Sequence, residues 1–385
     1  MKESKTKPNL FVVDTPHQLL NAIEATNSLG LTNNHLLVVV TRSANRSRFM
    51  SLIKITHWAS VSFRSPFIDP MPWVEKLLGT VLSRWYYRYL HFRRMWMLAQ
   101  LTSRFRIVDK LFLGHDFEKE KPYMRHIANS IEYNEVCLLD DGTDTIEINK
   151  RRHEIGSEVR DAPIETVSRH ASVFKTLEMR VRTRFWKCHV NEIPCVTFFT
   201  IYNVDPRKGD RLIRNNYSYL RSLAPHQLIQ MPDTVIFLGE CIAEDYVEAR
   251  VHFEFLSKSK DYFSGKKIIY VPHPRESAYW VNRIREALQW EIWPSSSVIE
   301  QDIIVRGVKP KAVAGFVSSA LITLANLMDA DVEVVCFHIA PEQWIGWREE
   351  AVGVYRYLRE EAQNRVTIVP LTAQESQCEA KSRAG

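Results

Sequence analysis

The feature that most constrains the fold is a succession of short, almost uniformly apolar runs, separated by segments with helical spacing or by polar turns. Strands of a parallel sheet are covered on both faces, so their sequences are continuously apolar instead of alternating. Strand and helix patterns that alternate along a chain predict an α/β protein with parallel sheets. The predicted strands lie within residues 10–13, 35–41, 110–113, 136–139, 234–240, 267–274, 312–327 and 332–337.

The predicted strands fall into two series, separated by a proline-containing loop at residues 223–233. A chain of 385 residues is longer than one hydrophobic core usually organises. We therefore predict two Rossmann-like domains facing a central cleft, because ligands of such sheets bind beyond the carboxyl ends of the strands. The predicted segments are an N-terminal domain at 1–225, a C-terminal domain at 226–345, and a helix with a polar tail at 346–385.

The composition is that of a globular protein, with 45% hydrophobic and 25% charged residues. No uncharged apolar stretch approaches the roughly 20 residues that cross a bilayer. The apolar run at residues 10–13 is too short for the core of a signal peptide, so we expect a cytoplasmic protein. The six cysteines lack the spacing of a metal site, and we expect reduced thiols and no bound metal.

Two adjacent carboxylates follow the predicted strand at residues 136–139, in the sequence Asp140-Asp141-Gly142. Glycine allows the chain to turn sharply where a strand ends. Two carboxylates this close raise the pKa of one of them, which is one way to make a general base. The alternative interpretation is an ordinary Asp-Gly turn.

A histidine between two prolines follows another predicted strand, in VPHPRES at residues 271–277. Proline fixes its own φ and favours extended backbone in the preceding residue, so Pro272 and Pro274 should hold His273 at a rigid strand exit. A histidine there could donate a hydrogen bond or a proton to a leaving phosphate. The alternative is a histidine that caps or packs at the edge of the core.

Two serines precede a helical pattern in AVAGFVSSALITLANL at residues 312–327. A serine at this position commonly caps the helix N-terminus. A helix N-terminus with free N–H groups and hydroxyls also binds phosphate. The two interpretations of Ser318 and Ser319 are compatible.

The three motifs share one context, the carboxyl end of a strand, and their combination resembles the bacterial sialyltransferases. It resembles in particular the lipooligosaccharide sialyltransferases (glycosyltransferase family 52), which share D/E-D/E-G, H-P and S-S/T motifs with bacterial polysialyltransferases. The opening LFVVDTPHQLLNAIEA resembles that family's strand, TP-x-Q motif and helix. The resemblance covers most of residues 8–340, and residues 149–233 contribute almost nothing to it.

The resemblance implies a GT-B fold and an inverting transfer of sialic acid from CMP-sialic acid, without a metal or other cofactor. The C-terminal domain would hold the CMP-sugar, and the N-terminal domain would receive a glycan or glycolipid acceptor such as lipooligosaccharide or capsule. Asp141 would be the base, tuned by Asp140, and His273 would stabilise or protonate the departing phosphate. The expected substrate-binding residues are Gly142, Pro274, Ser318, Ser319, Gly239 and Gln18.

The identity of the base stays open at this point, because sialyltransferase families do not all place it in the same motif. Three further carboxylates lie at or after the end of the predicted strand at residues 234–240, in FLGECIAED. They are Glu240, Glu244 and Asp245, of which Glu240 and Asp245 are the rivals of Asp141.

A basic, aromatic segment, RWYYRYLHFRRMWMLAQL at residues 84–101, places aromatic residues along one helical stripe. It is either a helix packed on the sheet or a surface that attaches to the anionic cytosolic face of the inner membrane or to an acidic glycolipid. RVRTRFWK at residues 180–187 could extend the same surface. Nucleic acid is not an expected partner, because no nucleic-acid motif accompanies the charge.

Two other functions remain open from the sequence. One is a different GT-B transferase or an epimerase that uses a UDP- or CDP-sugar. The other is a non-catalytic protein that keeps the fold and binds glycans or membranes. A homodimer is possible, because related enzymes can dimerise.

Overall fold

The computed structural model describes residues 7–40, 46–64, 103–116, 122–161, 191–243, 246–295, 297–362 and 364–371, together with Tyr86 and Gln100. The chain divides into two compact units, Met1–Tyr219 and Leu220–Gly385. Each unit contains one parallel sheet with helices in the connections between its strands.

The first unit contains a seven-stranded sheet in the order β3-β2-β1-β4-β5-β6-β7, in which every neighbouring pair is parallel. Its strands are β1 (Asn9–Val13), β2 (Asn34–Val39), β3 (Ser60–Arg64), β4 (Ile107–Leu113), β5 (Glu132–Leu139), β6 (Thr197–Thr200) and β7 (Arg211–Arg214). Its helices are α1 (Pro16–Ser28), α2 (Arg46–Ile53), α3 (Pro122–Ala128) and α4 (Asp144–Asp161), and the short α5 (Ser218–Ser222) contains the boundary between the units.

The second unit contains a six-stranded parallel sheet in the order β10-β9-β8-β11-β12-β13. Its strands are β8 (Ile229–Leu238), β9 (Lys267–Val271), β10 (Glu291–Ile292), β11 (Val308–Gly315), β12 (Glu333–Ile339) and β13 (Thr367–Leu371). Its helices are α6 (Ala249–Tyr262), α7 (Ala278–Leu288), α8 (Ile299–Arg306), α9 (Ser319–Leu327) and α10 (Arg348–Glu361), with a 3₁₀ turn at Pro341–Gln343.

Both sheets have the Rossmann strand order, in which the first strand lies centrally and the chain winds outward in both directions. All five residues of the central strand β1 are buried, as are the last five residues of β8. This burial explains their continuously apolar sequences. The predicted α/β class with two Rossmann-like domains is confirmed, and the central cleft between them stays a prediction.

The structure corrects the predicted loop at residues 223–233, because β8 already begins at Ile229. The first part of β8 is largely exposed and pairs with β11 alone, whereas pairing with β9 starts at Thr234. Pro232 is tolerated there because the strand has no second partner that would need its missing N–H. Because this part of β8 is exposed and contains a proline, it lacks the continuous apolar run from which the other strands were predicted.

The structure also places the segments differently from the predicted boundaries. The first unit ends at Tyr219, six residues before the predicted 225. The helix of the predicted C-terminal segment, α10, belongs to the second unit, and β13 (Thr367–Leu371) extends the sheet of that unit by pairing with β12. Residues 372–385, the predicted polar tail, lie outside the described residues. Within the described part of the chain, no helix is both long enough and apolar enough to cross a membrane.

Candidate active site

The polar residues of interest lie at the carboxyl edges of the two sheets. In open α/β sheets, ligands bind at this edge, where neighbouring strands connect in opposite directions. That switch point lies between β1 and β4 in the first unit and between β8 and β11 in the second. The three predicted motifs follow β5, β9 and β11, so all of them lie at a carboxyl edge.

In the first unit, Asp140 follows β5 and is fully buried. Its carboxylate accepts hydrogen bonds from the Thr145 hydroxyl at 2.9 Å and from the Ile201 N–H at 2.8 Å. Burial raises the pKa of Asp140 to about 6, against hydrogen bonds from Thr200, Ile201 and Thr145 and the nearby charge of His17. Asp140 therefore joins β5, β6 and α4, and it has no direct access to a ligand.

Asp141 is half-buried, and its Oδ1 accepts a hydrogen bond of 3.0 Å from the Thr15 hydroxyl. The same hydroxyl accepts the N–H of Gln18 at 3.1 Å and so caps α1. Gly142 has φ of 66°, which confirms the predicted sharp turn. Burial, not the neighbouring carboxylate of Asp141, raises the pKa of Asp140. Our prediction that repulsion between the two adjacent carboxylates raises the pKa of one of them was therefore wrong. The structure leaves Asp141 as the accessible member of the pair.

The predicted binding residue Gln18 is fully buried, and its Oε1 accepts the N–H of Asp14 at 2.8 Å. The side chain also occupies the space beside Gly114 that a Cβ atom there would fill. In this structure the TP-x-Q motif is therefore a helix-capping arrangement, with Pro16 at the first helical position. Direct substrate contact by Gln18 would require it to leave this position.

A second polar group at the switch point of the first unit was not predicted. Asp14 follows β1, His115 follows β4, and both are buried. His115 Nε2 lies 3.9 Å from Asp14 Oδ2, and the Tyr123 hydroxyl donates a hydrogen bond to the same oxygen. The sequence signal was a polar residue one or two positions after each apolar run, Asp14 after Val13 and His115 after Leu113 and Gly114.

In the second unit, the HP motif forms a β-turn directly after β9. The N–H of Glu276 donates to the carbonyl of His273 at 3.0 Å, with Pro274 at the second turn position, where its fixed φ is favoured. In return, the N–H of His273 donates to Glu276 Oε2 at 2.6 Å. Arg275 donates its N–H to His273 Nδ1 at 3.2 Å. The turn thus fixes both the backbone and the ring of His273.

Glu276 connects this turn to the sheet. Its Oε1 accepts a 2.5 Å hydrogen bond from the Tyr270 hydroxyl, which comes from β9. Burial raises the pKa of Glu276 to about 7, against the hydrogen bonds from Tyr270 and His273. A Cβ atom on Gly239 would collide with both the Tyr270 hydroxyl and the Glu276 carboxyl group. The predicted binding residue Gly239 therefore makes room for the residues that position His273.

We expect Gly239→Ala to lower the free energy of unfolding by about 1–3 kcal/mol, because the methyl group overpacks this site. Gly353→Ala is the matched control, since its Cβ would meet open space within α10 and alanine favours the helix. Urea unfolding of both variants measures the difference. Equal stability of Gly239→Ala and the parent protein would contradict the close approach.

Glu240 and Ser318 meet at the switch point of the second sheet, after β8 and β11. Ser318 is the N-cap of α9 by backbone geometry, but its side chain makes no capping hydrogen bond and contacts Glu240 instead. Burial raises the pKa of Glu240 to about 8, opposed by Ser318 and Arg275 and assisted by Glu276. Its Oε1 is buried without a hydrogen-bond partner among the described residues. At neutral pH Glu240 is therefore mostly uncharged, so it does not repel an anion.

Some predicted residues lie outside the described residues, namely Glu244, Asp245, residues 180–187 and nearly all of residues 84–101. Among the residues that are described, no group of three His, Cys, Asp or Glu side chains is arranged to hold a metal ion.

The fold and these sites define a two-unit α/β protein with polar groups at the carboxyl edge of each Rossmann-like sheet. No protein-family model matches the chain, and no curated protein sequence matches it. Among solved structures, the Escherichia coli heptosyltransferase WaaC in complex with ADP is similar over 98% of this chain and 98% of its own, with 12% identity and a TM-score of 0.37.

Two further solved structures are similar at the same low level of identity. MurG from Acinetobacter baumannii is 9% identical over 98% of this chain and 91% of its own, with a TM-score of 0.45. The UDP-GlcNAc 2-epimerase of Methanocaldococcus jannaschii is 10% identical over 94% of this chain and 89% of its own, also with a TM-score of 0.45. The fold class stated above rests on the topology of the two sheets.

Proposed function

We propose that the protein is an inverting, metal-independent sialyltransferase that transfers sialic acid from CMP-sialic acid to a cell-surface glycan. One observation carries the proposal. Glu240 and Ser318 meet at the switch point between β8 and β11, where a Rossmann-like sheet binds its ligand, and the HP turn that fixes His273 lies beside them. The motif resemblance supplies the choice of CMP-sialic acid.

The second unit would hold the donor phosphate. Ser318 and Ser319 lie at the start of α9, where N–H groups and the helix dipole favour an anion. His273 lies on a neighbouring connection, after β9, with its backbone fixed by Glu276. Because Glu240 and Glu276 have raised pKa values of about 8 and about 7, they add little negative charge at neutral pH.

The first unit would supply the base. Asp141 is partly accessible, and the Thr15 hydroxyl fixes one of its carboxylate oxygens. An acceptor hydroxyl loses its proton as it attacks the anomeric carbon, so a carboxylate with one fixed oxygen suits this step. Asp140 would support the base structurally, because its buried carboxylate joins the end of β5 to the end of β6.

A substitution of Thr15 tests this positioning. Thr15→Val keeps the shape but removes the hydroxyl that donates to Asp141, and we expect kcat to fall roughly tenfold to a hundredfold. Thr15→Ser retains both hydrogen bonds of the hydroxyl and should keep most of the activity. Because both variants are measured at a temperature where each is folded, loss of the helix cap does not account for a difference. Equal kcat in the two variants would contradict the role of Thr15.

The reaction itself is tested by following CMP release from CMP-sialic acid in the presence of EDTA, with galactose-terminated and sialic-terminated acceptors. We expect release that depends on the acceptor and persists in EDTA. A parallel panel of UDP-, ADP- and CDP-sugars examines the alternative of another GT-B transferase or an epimerase. Turnover of one of those donors, without turnover of CMP-sialic acid, would replace the proposal. CMP binding without any turnover would favour the non-catalytic alternative.

We also propose that the protein attaches to the anionic cytosolic face of the membrane, because residues 84–101 are basic in composition. A homodimer is proposed on the resemblance. An enzyme that extends a lipid-linked glycan must reach the membrane face. Sedimentation with vesicles that contain phosphatidylglycerol tests the attachment, and absence of binding at low salt would exclude it.

A further inference from the structure

Glu240 combines a buried carboxyl oxygen with a partly accessible side chain. The residue is half-buried just after β8, but its Oε1 atom is buried and has no hydrogen-bond partner among the described residues. Nearly all buried polar atoms in proteins have a partner, because leaving one without a partner is costly. A ligand that binds at this edge of the sheet would supply the missing partner.

The start of α9 lies beside this carboxyl group. Ser318 is the N-cap of α9 by backbone geometry, yet its side chain contacts Glu240 and makes no capping hydrogen bond. The first N–H groups of a helix have no partner within the helix, and the helix dipole favours an anion there. An ionised Glu240 would repel such an anion, whereas a protonated carboxyl group can donate a hydrogen bond to it.

The titratable and charged groups around Glu240 come from β9 and the turn after it, from β12 and from α10. They are Tyr270, Arg275, Glu276, Cys336 and Tyr355, and Cys241 and Arg359 act on members of this set. Burial raises the pKa values of the two tyrosines and of the Cys336 thiol, so these groups are neutral near neutral pH. Burial also raises the pKa of Glu276 to about 7 and that of Glu240 to about 8. Near neutral pH, Arg275 is therefore charged, Glu276 titrates and Glu240 is mostly protonated.

We propose that Glu240 binds the anionic group of the ligand as a protonated carboxyl group, through a hydrogen bond donated by Oε1, so that binding of the anion is coupled to a proton. The coupling arises because the anion stabilises the protonated form and the ionised form repels the anion. Above about pH 8, the anion binds together with a proton that passes from solvent to Glu240, and the proton returns to solvent when the anion leaves. The proposal rests on the proposed function for the identity of the anion, the phosphate of CMP.

The first test follows the affinity for CMP across pH values. Isothermal titration of the full-length protein, at constant ionic strength and without phosphate buffer, gives the dissociation constant at each pH. We expect this constant to rise roughly tenfold between about pH 8 and about pH 9.5, because Glu240 becomes ionised in the free protein.

Glu240→Gln should lose most of this rise, because glutamine cannot ionise. Glu276 would account for what remains, since its carboxyl group lies in the same set. Glu286→Gln, at an exposed residue of α7, is the matched control and should follow the parent protein. The same rise in Glu240→Gln and in the parent protein would overturn the coupling.

The second test counts the protons that bind with CMP. At about pH 8.5, the heat of CMP binding in two buffers with different heats of ionisation gives the number of protons taken up. We expect roughly half a proton to one proton per CMP in the parent protein and close to none in Glu240→Gln. The phosphate of free CMP is fully ionised at this pH, because its second pKa is about 6. Absence of proton uptake in the parent protein would contradict the proposal.

The third test separates a donated hydrogen bond from the mere lack of charge. Glutamine keeps an N–H donor at position 240, whereas leucine has a similar size and no donor. At about pH 7 we expect Glu240→Leu to bind CMP roughly tenfold more weakly than Glu240→Gln. Equal affinities in two folded variants would refute the hydrogen bond. If Glu240→Leu does not fold, the pH series with Glu240→Gln still decides the coupling.

The choice of ligand separates this proposal from the proposed function. Inorganic phosphate should show the same pH dependence as CMP, and cytidine, which has no phosphate, should not show it. If UDP or ADP binds and CMP does not, the proposed donor is wrong, and the pH series with that nucleotide decides the role of Glu240. If neither a nucleotide nor phosphate binds, the anion site itself is refuted.

Discussion

Asp141→Asn should lower kcat for sialic acid transfer by roughly a thousandfold, the range that removal of a general base typically causes. Asparagine keeps the size of the side chain and can still meet the Thr15 hydroxyl, but it cannot take the proton of the acceptor. Because Asp141 is half-buried and asparagine keeps the size of its side chain, the fold should tolerate the change. Steady-state kinetics with saturating donor and acceptor measure it.

Asp144→Asn is the matched control for the loss of a carboxylate. Asp144 is exposed, lies in the first turn of α4 and is only three positions from Asp141. Its substitution weakens a favourable interaction with the helix dipole by less than about 1 kcal/mol, and activity should stay near that of the parent protein. If Asp141→Asn retained the kcat of Asp144→Asn, the base would lie elsewhere, and Glu240 and Asp245 would be the residues to examine.

Glu240→Gln should change how the stability of the protein depends on pH. Burial raises the pKa of Glu240 to about 8 from an ordinary value of 4.5, so the folded protein holds a proton that the unfolded chain has lost between these values. The free energy of unfolding therefore falls as the pH rises through this window. Glutamine cannot ionise, so above about pH 8 the variant should be more stable than the parent, by on the order of 5 kcal/mol.

The comparison is made by urea unfolding at a series of pH values. Below about pH 4 both states hold the proton, so the parent protein and Glu240→Gln should then differ little. Glu286→Gln, at an exposed glutamate of α7 in the same unit, should follow the parent protein throughout. If the free energy of unfolding depended on pH in the same way in Glu240→Gln and in the parent protein, Glu240 would ionise as it does in the unfolded chain. The claim that Glu240 is uncharged at the switch point at neutral pH would then be wrong. Glu276 adds a smaller decline of the same sign, because its pKa is raised to about 7.

Much of the fold could be predicted from local sequence. β1, β9 and the last parts of β5 and β8 are apolar because they are buried, and a motif that follows such a run must lie at a carboxyl edge. Other strands escaped prediction for physical reasons. β10 has two residues, β7 is exposed at both ends, and β13 contains a proline and is mostly accessible at the edge of its sheet.

The site was predictable only in part, because its partners are distant in sequence. The turn at Gly142 and the rigid position of His273 follow from neighbouring residues. The Thr15–Asp141 hydrogen bond joins residues 126 positions apart, and nothing in DDG indicates that Asp140 turns inward to Ile201. Glu276 lies within VPHPRES, yet its role in positioning His273 depends on Tyr270 and on the space beside Gly239, which the motif does not reveal.

The central claim is that this chain binds a cytidine monophosphate donor without a metal ion. Isothermal titration of the full-length protein with CMP, UDP and ADP, in buffer containing EDTA, tests it without knowledge of the acceptor. We predict that CMP binds at least tenfold more tightly than UDP or ADP, and that Ser318→Ala weakens its binding. Tighter binding of UDP or ADP, or no binding of any of the three nucleotides, would contradict the claim.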